Sequence, residues 1–179
     1  MLTLHRLRAA DDCLFAFAEK LLTQSFPAEE YRPIEEWRHY TSNENRFHNQ
    51  VIMEAGKPIG LVAYWDFGAF RYIEHLATIP EVRGGGYGLK LLQLLQGAAD
   101  TPIVLEVEEP TDDLSTRRIG FYRRAGFELW EKTYLQPPYR KGDGMLPMYL
   151  MVWGRLSQEQ DFEQVKDTLY QEVYHYGAK

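Results

Sequence analysis

The sequence predicts a single mixed α/β domain whose sheet is mostly antiparallel, with a parallel strand–helix–strand unit at its centre. Three observations predict it. Strand-like and amphipathic helical runs succeed one another in the order β-α-α-β-β-β-α-β-α-β-β-α. A glycine-rich turn separates a strand at 70–78 from a leucine-dense helix, and another strand follows at 103–107. A crossover of that kind makes its two strands parallel and its connection right-handed. At 179 residues, 45% hydrophobic and 26% charged, the chain suits one globular core, and no repeat or low-complexity tract breaks it, so residues 1–179 are read as one domain.

Each element has its own signal. Residues 2–7 alternate apolar and polar and form the first strand. Asp11 and Asp12 offer an N-cap to a helix bearing Leu14, Phe17, Ala18, Leu21 and Leu22 at helical spacing. Pro27 and Pro33 bracket a loop, and Pro33 suits the first position of a second helix with Ile34, Trp37 and Thr41 on one side. Runs at 47–54 and 59–65 flank Ala55-Gly56-Lys57-Pro58, a turn signal, and form a hairpin. The strand at 70–78 leads through Pro80 and the glycines into a helix with Leu89, Leu91, Leu92, Leu94 and Leu95 that ends near 97–100. After the strand at 103–107, the stretch 110–113 opens a helix through Arg124, with Gly126 past its end as a left-handed cap. Strands at 127–135 and 148–153 are joined by a loop at 136–147. Ser157 and Gln160 fit a capping box for an amphipathic C-terminal helix at about 157–176, with Phe162, Val165, Leu169 and Val173 as its stripe.

Composition removes several classes of function. A formal net charge of -6 and a pI near 5.4 argue against a nucleic-acid partner. One cysteine, Cys13, rules out an internal disulfide and a thiolate-rich zinc site, and His5, His39, His48 and His175 lack metal-ligand spacing, so no metal is expected. The N-terminus has no apolar h-region, and the longest apolar stretch, about 145–153, is too short for a membrane span. The expectation is a cytoplasmic protein with no membrane partner. The C-terminal stripe fits packing on the chain's own sheet or the docking of a partner, including a homodimer.

The turn Arg83-Gly84-Gly85-Gly86-Tyr87-Gly88 sits where a strand hands over to a helix, a favoured place for phosphate. No G-x-G-x-x-G fits it, because glycine would be needed at Leu89 or Leu91, and no Gly-Lys-Ser/Thr follows. A third arrangement does fit. Successive backbone N–H groups can converge on one anion, and side chains at Gly86 and Gly88 would obstruct its approach.

Arg83-x-x-Gly86-x-Gly88, directly after 73–81, resembles motif A of the GCN5-related N-acetyltransferases, the acyl-CoA-binding GNAT superfamily. Phe121-Tyr122-Arg123-Arg124-Ala125-Gly126-Phe127 is similar to that family's motif B, and the elements between the two come in the family's order. The likeness covers about 47–153. It implies the GNAT-like acyl-CoA N-acyltransferase fold and an acetyl-CoA-dependent N-acetyltransferase that moves an acetyl group to a primary amine by direct attack in a ternary complex. It also implies site residues. Amides of Arg83, Gly84, Gly85, Gly86, Tyr87, Gly88 and Leu89 would hold the pyrophosphate. Leu76, Ala77 and Thr78 would pair with the pantetheine arm, and Ser115 belongs to the cofactor-binding set. Two departures stand out: the family often has a basic residue at Gly85, and Asn and Ala where Ser115 and Arg118 stand. Arg117 or Arg118 is the candidate replacement charge, against the alternative of a solvated helix face.

Transfer of acetyl to an amine needs a neutral amine, an oxyanion donor and a proton for the thiolate. Glu74 is the candidate base and His75 the second choice; strand alternation puts them on opposite faces, and a structural hydrogen bond is the competing role for each. The resemblance makes Tyr122 the candidate acid, with a backbone N–H near Leu76 as oxyanion donor. Glu106, Glu108 and Glu109, with Asp66 and Glu74, form either an attracting rim for a cationic amine or an ordinary acidic surface. Tyr31, Trp65, Phe67, Tyr72 and Tyr139 either wall an acceptor pocket or belong to the core. The acceptor, a small molecule or a peptide, is not named by the sequence. A catalytically silent acyl-CoA-binding or sensor domain is the rival reading.

Overall fold

The computed structural model describes residues 1–8, 13–97 and 100–177, so the expected cap at Asp11 and Asp12 lies outside the described residues. Contacts divide the chain into two compact units, Met1–Thr101 and Pro102–Lys179.

In the first unit β1 (Leu2–Arg6), β2 (Phe47–Glu54), β3 (Lys57–Asp66) and β4 (Arg71–Thr78) pair antiparallel in that order. The β2–β3 turn is shorter than the sequence suggests, because only Ala55 and Gly56 lie between the strands. Both have positive φ, 49° and 77°, the conformation whose twist matches a two-residue hairpin. The middle of β3 is buried continuously from Ile59 to Trp65, as expected of a strand covered on both faces.

Helix α1 (Phe15–Ser25) packs on β3 and β4, and α2 (Ile34–Asn43) on β2. Pro33 stands one residue earlier than expected, in the N-cap position, because its ψ of 137° is extended. A polar clamp fixes α2 to its strand: Asn49 Nδ2 donates to Thr41 Oγ1 at 2.9 Å, and Thr41 Oγ1 donates to the Trp37 carbonyl at 2.8 Å. After β4 a 3₁₀ turn (Pro80–Val82) leads to α3 (Tyr87–Gly97), which packs on β4 and buries Leu91, Leu92 and Leu95.

In the second unit β7 (Leu146–Trp153) lies between β5 (Ile103–Glu108) and β6 (Glu128–Gln136) and is antiparallel to both. Helix α4 (Asp113–Arg124) opens on a reciprocal cap: Asp112 Oδ1 accepts from the Ser115 N–H at 2.7 Å, and the Asp112 N–H donates to Ser115 Oγ at 3.2 Å. It closes on the expected glycine. Gly126 has φ 86°, its N–H donates to the Arg123 carbonyl, and the Phe127 N–H donates to the Tyr122 carbonyl, both at 3.0 Å, which is a Schellman motif.

Helix α5 (Gln158–Thr168) is capped by Ser157 Oγ, which accepts from the Gln160 N–H at 3.4 Å. The reciprocal acceptor is Asp161, at 2.7 Å from the Ser157 nitrogen, not Gln160. A π-turn, Leu169–Val173, follows α5. Phe162, Val165, Leu169 and Val173 are all buried, and α5 packs on β6, so the apolar stripe serves the chain's own sheet.

Candidate active site

The register of β4 decides how Glu74 and His75 point. Ala63 pairs with His75 and Tyr64 with Ile73, so Glu74 is an extra residue, a β-bulge. The bulge breaks strict alternation. Glu74 and His75 both meet the segment before α2 instead of facing opposite sides, which corrects the expectation from sequence. Glu74 Oε1 accepts from Arg32 Nη2 and Oε2 from Trp65 Nε1, each at 2.7 Å. His75 Nε2–H donates to the Glu30 carbonyl at 2.9 Å, and its ring meets Phe26 edge-on at 4.8 Å.

The Arg32–Glu74 pair is shut away from water, with side-chain exposures of 1% and 0%. The guanidinium lies 4.6 Å from the Tyr40 ring centre, 5.6 Å from Trp65 and 5.9 Å from Phe47, within cation–π range of all three. Burial pushes the Glu74 carboxyl up. Arg32, then His75 and the two hydrogen bonds, outweigh it and hold Glu74 below the ordinary carboxylate value. Burial also lowers His75, against the pull of Glu74. Of the expected pocket wall, Trp65 and Tyr72 are fully buried, whereas Tyr31 is half-buried and Phe67 stacks on Trp65 at 5.9 Å.

The glycine turn is exposed and carries two left-handed residues, Gly84 at φ 80° and Gly86 at 74°. Lys90 N–H bonds back to the Gly86 carbonyl at 3.1 Å, so the amides of Tyr87, Gly88 and Leu89 are the opening donors of α3. These donors and the positive end of the helix dipole suit an anionic group, and no backbone carbonyl has to be displaced to admit one. Arg83 is exposed beside the turn, its Nε 3.4 Å from the Thr78 carbonyl. Leu76 and Thr78 are half-buried at the end of β4, and Ala77 is buried.

In the second unit Tyr122 is half-buried near the end of α4, its ring edge-on to Phe121 at 5.1 Å and to Phe127 at 5.6 Å. Burial pushes its phenol up to about 12, with Arg118 pulling weakly the other way. Ser115 is buried, and its hydroxyl is held by the cap, donating to Asp112 Oδ1 at 2.7 Å. Arg118 Nη1 lies 3.3 Å from Glu108 Oε2, and both side chains are exposed. Glu106 is half-buried and accepts from Tyr134, Gln136 and Tyr174. Among the described residues no helix is long and apolar enough to cross a membrane, and no group of three metal-ligating side chains forms.

The model of the acetyltransferase (GNAT) family matches residues 13–127, more than half of the chain. The chain belongs to the GNAT family. Its enzyme class is therefore the one that motifs A and B imply, an acetyl-CoA-dependent N-acetyltransferase. A solved GNAT-family structure from Bacteroides thetaiotaomicron is 48% identical, with a TM-score of 0.93 over 96% of this chain and 98% of that one. YjbC of Bacillus subtilis, described as a candidate acetyltransferase, is 26% identical over 160 residues, covering 82% of this chain and 79% of YjbC. Arabidopsis thaliana Naa50, solved with the bisubstrate analogue CoA-Ac-MVNAL, has the same fold at 18% identity, with a TM-score of 0.60 over 86% of this chain and 99% of that one. The GNAT fold class, mixed α/β with mostly antiparallel strands, is the one that the sequence predicts.

Sequence reasoning missed two features. Arg32 sits between Tyr31 and Pro33 with no motif around it, and its partners come from 36 to 74. The donors to Glu106 come from positions 134, 136 and 174. Local spacing offered only the i,i+4 pair of Arg32 with Glu36 and the shared strand face of 134 and 136; the link to Glu74 or Glu106 had no local signal.

Proposed function

We propose that this GNAT protein moves an acetyl group from acetyl-CoA to a primary amine by direct attack of the amine on the thioester in a ternary complex. The observation that carries the reading is the turn at Gly84 and Gly86, left-handed at both, opening directly on the first amides of α3. In this reading the amides of Gly84, Gly86, Tyr87, Gly88 and Leu89 hold the pyrophosphate, because the Arg83 and Gly85 N–H groups already donate to the Pro80 and Val82 carbonyls, each at 3.1 Å, and Leu76, Ala77 and Thr78 pair with the pantetheine arm. Ser115 contributes by fixing the start of α4 through its cap. The bulge at Glu74 supports an oxyanion role for a nearby β4 amide, because a bulge takes backbone groups out of the ladder.

The amine nitrogen attacks the thioester carbon, the C–S bond breaks, and the thiolate takes a proton. Tyr122 is the proposed donor. A phenol near 12 gives its proton to a thiolate of ordinary value, near 8.5, only at a cost of about 5 kcal/mol. The same burial raises a thiolate beside it, which narrows that gap.

Glu74 has two candidate roles. As a base it would take the ammonium proton; as a fixed anion it would hold Arg32 and the bulge in place. Its enclosed ion pair supports the second, which leaves deprotonation of the amine to solvent. The pH–rate profile separates them. Solvent deprotonation makes the rate climb tenfold per pH unit toward the amine's own value near 10.4, whereas a base titrating below 4.5 gives a flat profile above pH 5. The overall reading is tested with a panel of small amines and amine-bearing peptides, following thiol release from acetyl-CoA. Stabilisation by CoA with no thiol release from any amine would leave an acyl-CoA-binding domain without transfer.

A further inference from the structure

In the first unit, the sheet face turned away from α2 gathers cations. Phe47, Asn49 and Trp65 point toward α2, where Asn49 bonds Thr41 and the Trp65 ring lies 5.5 Å from Tyr40. Strand alternation sends His48, Gln50 and Tyr64 the other way. His48 stands opposite Tyr64 in the β2–β3 ladder, and Arg6 opposite Gln50 in the β1–β2 ladder. The His48 and Tyr64 rings stack with centroids 4.7 Å apart, and Gln50 Nε2 donates to Tyr64 Oη at 3.1 Å. Arg71, at the start of β4, holds its guanidinium 5.7 Å from the Tyr64 ring centre and donates through Nε to Asp66 Oδ2 at 3.1 Å. Arg6 Nη2 donates to the Asn45 and Phe47 carbonyls at 2.8 and 3.3 Å.

These bonds use only part of what the guanidiniums offer. Among the described residues neither Nη of Arg71 nor Nη1 of Arg6 has an acceptor, and none of the three is sealed from solvent. Charge is out of balance as well. Burial first, then Arg6, lowers the His48 imidazole to about 4; Arg71 and Arg8 push the same way, and Asp66 is the opposing charge. Burial and then Arg8 lower Arg6 too, so the cations stand close enough to repel one another. In a chain of net charge -6, cations collected at mutual cost with donors turned outward suit an anion.

We propose that this face binds a small polyvalent anion, one carrying two or more carboxylate or phosphate groups, between Arg6 and Arg71, with Arg8 adding to the field. The guanidinium fork suits either group. The valence follows from spacing. Arg6 and Arg71 stand on β1 and β4, about 14 Å apart at the usual strand separation. Each guanidinium is pinned, Arg71 over Tyr64 and Arg6 on the backbone of 45–47, so a single carboxylate does not span them. The site is separate from the glycine turn, because Arg71 and Thr78 are the two ends of β4, about 23 Å apart along the strand. It does not depend on acetyl transfer.

The test titrates citrate and tripolyphosphate into the parent, Arg71→Gln and Arg8→Gln proteins, with acetate and chloride at matched ionic strength as controls. No amine is present, and each titration is run with and without CoA. Binding is read by calorimetry and by the His48 ring resonances. The parent is expected to bind at least one probe saturably at about 0.15 M salt, with a shift at His48 that CoA leaves in place and the monovalent controls do not reproduce. A preference for citrate assigns a carboxylate ligand and a preference for tripolyphosphate a phosphate one; either supports the site. Each variant is expected to weaken binding by about tenfold. Arg8→Gln changes an exposed side chain and keeps the test alive should Arg71→Gln fold poorly. No saturable binding of either probe to the parent overturns the proposal, as does an affinity unchanged in every variant that folds. Binding that CoA displaces also overturns it, because the anion would then sit at the glycine turn.

Discussion

Arg32→Met removes the buried cation while keeping a long apolar side chain in the ring of Tyr40, Phe47 and Trp65. Glu74 then stays enclosed with only the Trp65 N–H for company. Breaking a buried pair by removing one partner costs about 3–5 kcal/mol, and the cation–π contacts belong to the same charge, so they are not added on top. Against a total of roughly 5–15 kcal/mol, that is a large fraction of the fold's stability. With a urea m-value of about 2 kcal/mol/M, the unfolding midpoint should fall by about 1.5–2.5 M at pH 7.

The pH dependence carries a sign of its own. In the parent, Glu74 is held below its ordinary value, so its contribution is present above pH 4.5 and is lost as pH falls through the folded value. In the variant, burial acts without Arg32 and raises the carboxyl, so the penalty is small below pH 4.5 and grows above it. The gap between the two proteins should therefore narrow from pH 7 to pH 4.5, and adding Glu74→Gln should recover part of the loss. A loss under about 1 kcal/mol that is the same at both pH values would refute the picture of an enclosed charge pair.

Three further outcomes are expected. Gly86→Val should abolish stabilisation by CoA, and because Gly86 has φ 74° the fold should also lose roughly 1–2 kcal/mol, visible as a lower Tm without ligand. Tyr122→Phe should keep CoA affinity and slow turnover by roughly 10²–10⁴-fold, with a smaller loss for a better-leaving thioester; near-normal turnover would return the sulfur's proton to water. Asp112→Ala removes the α4 cap and should cost about 0.5–2 kcal/mol in denaturant unfolding, and a cost near zero would mean that the cap at Ser115 adds nothing.

What the sequence disclosed followed from how local each signal was. Gly126 and the helix start at 110–113 could be placed because helix ends are decided within a few residues, although which of the four residues caps the helix was not, and the glycine turn because its amides are its own. Pro33 and Asp161 missed by one position, since several neighbouring residues could fill a cap. Strand alternation misdirected His75, because a bulge is set by what the neighbouring strand pairs with and not by residues 70–78 alone. The pairings of Arg32 with Glu74 and of Tyr174 with Glu106 lay beyond reach altogether: they span 42 and 68 residues, and neither a lone arginine in a loop nor a tyrosine near a terminus carries a pattern that points so far. The motif residues were thus the legible part of the candidate site, and the charge environment around them was not.

The two-residue turn at Ala55 and Gly56 bears on how the chain folds, not only on its final form. Closing a short loop costs little chain entropy, and hairpins of this kind form within about 1–10 μs. The β2–β3 ladder is therefore available early, long before strands as distant in sequence as β1 and β2 can meet. Its ladder, with Val51 opposite Leu61 on one face and Ile52 opposite Gly60 on the other, is a natural nucleus on which β4 and the helices of the first unit condense. Mutations along that hairpin should slow refolding, while equally destabilising ones in β1 should act mainly by speeding unfolding.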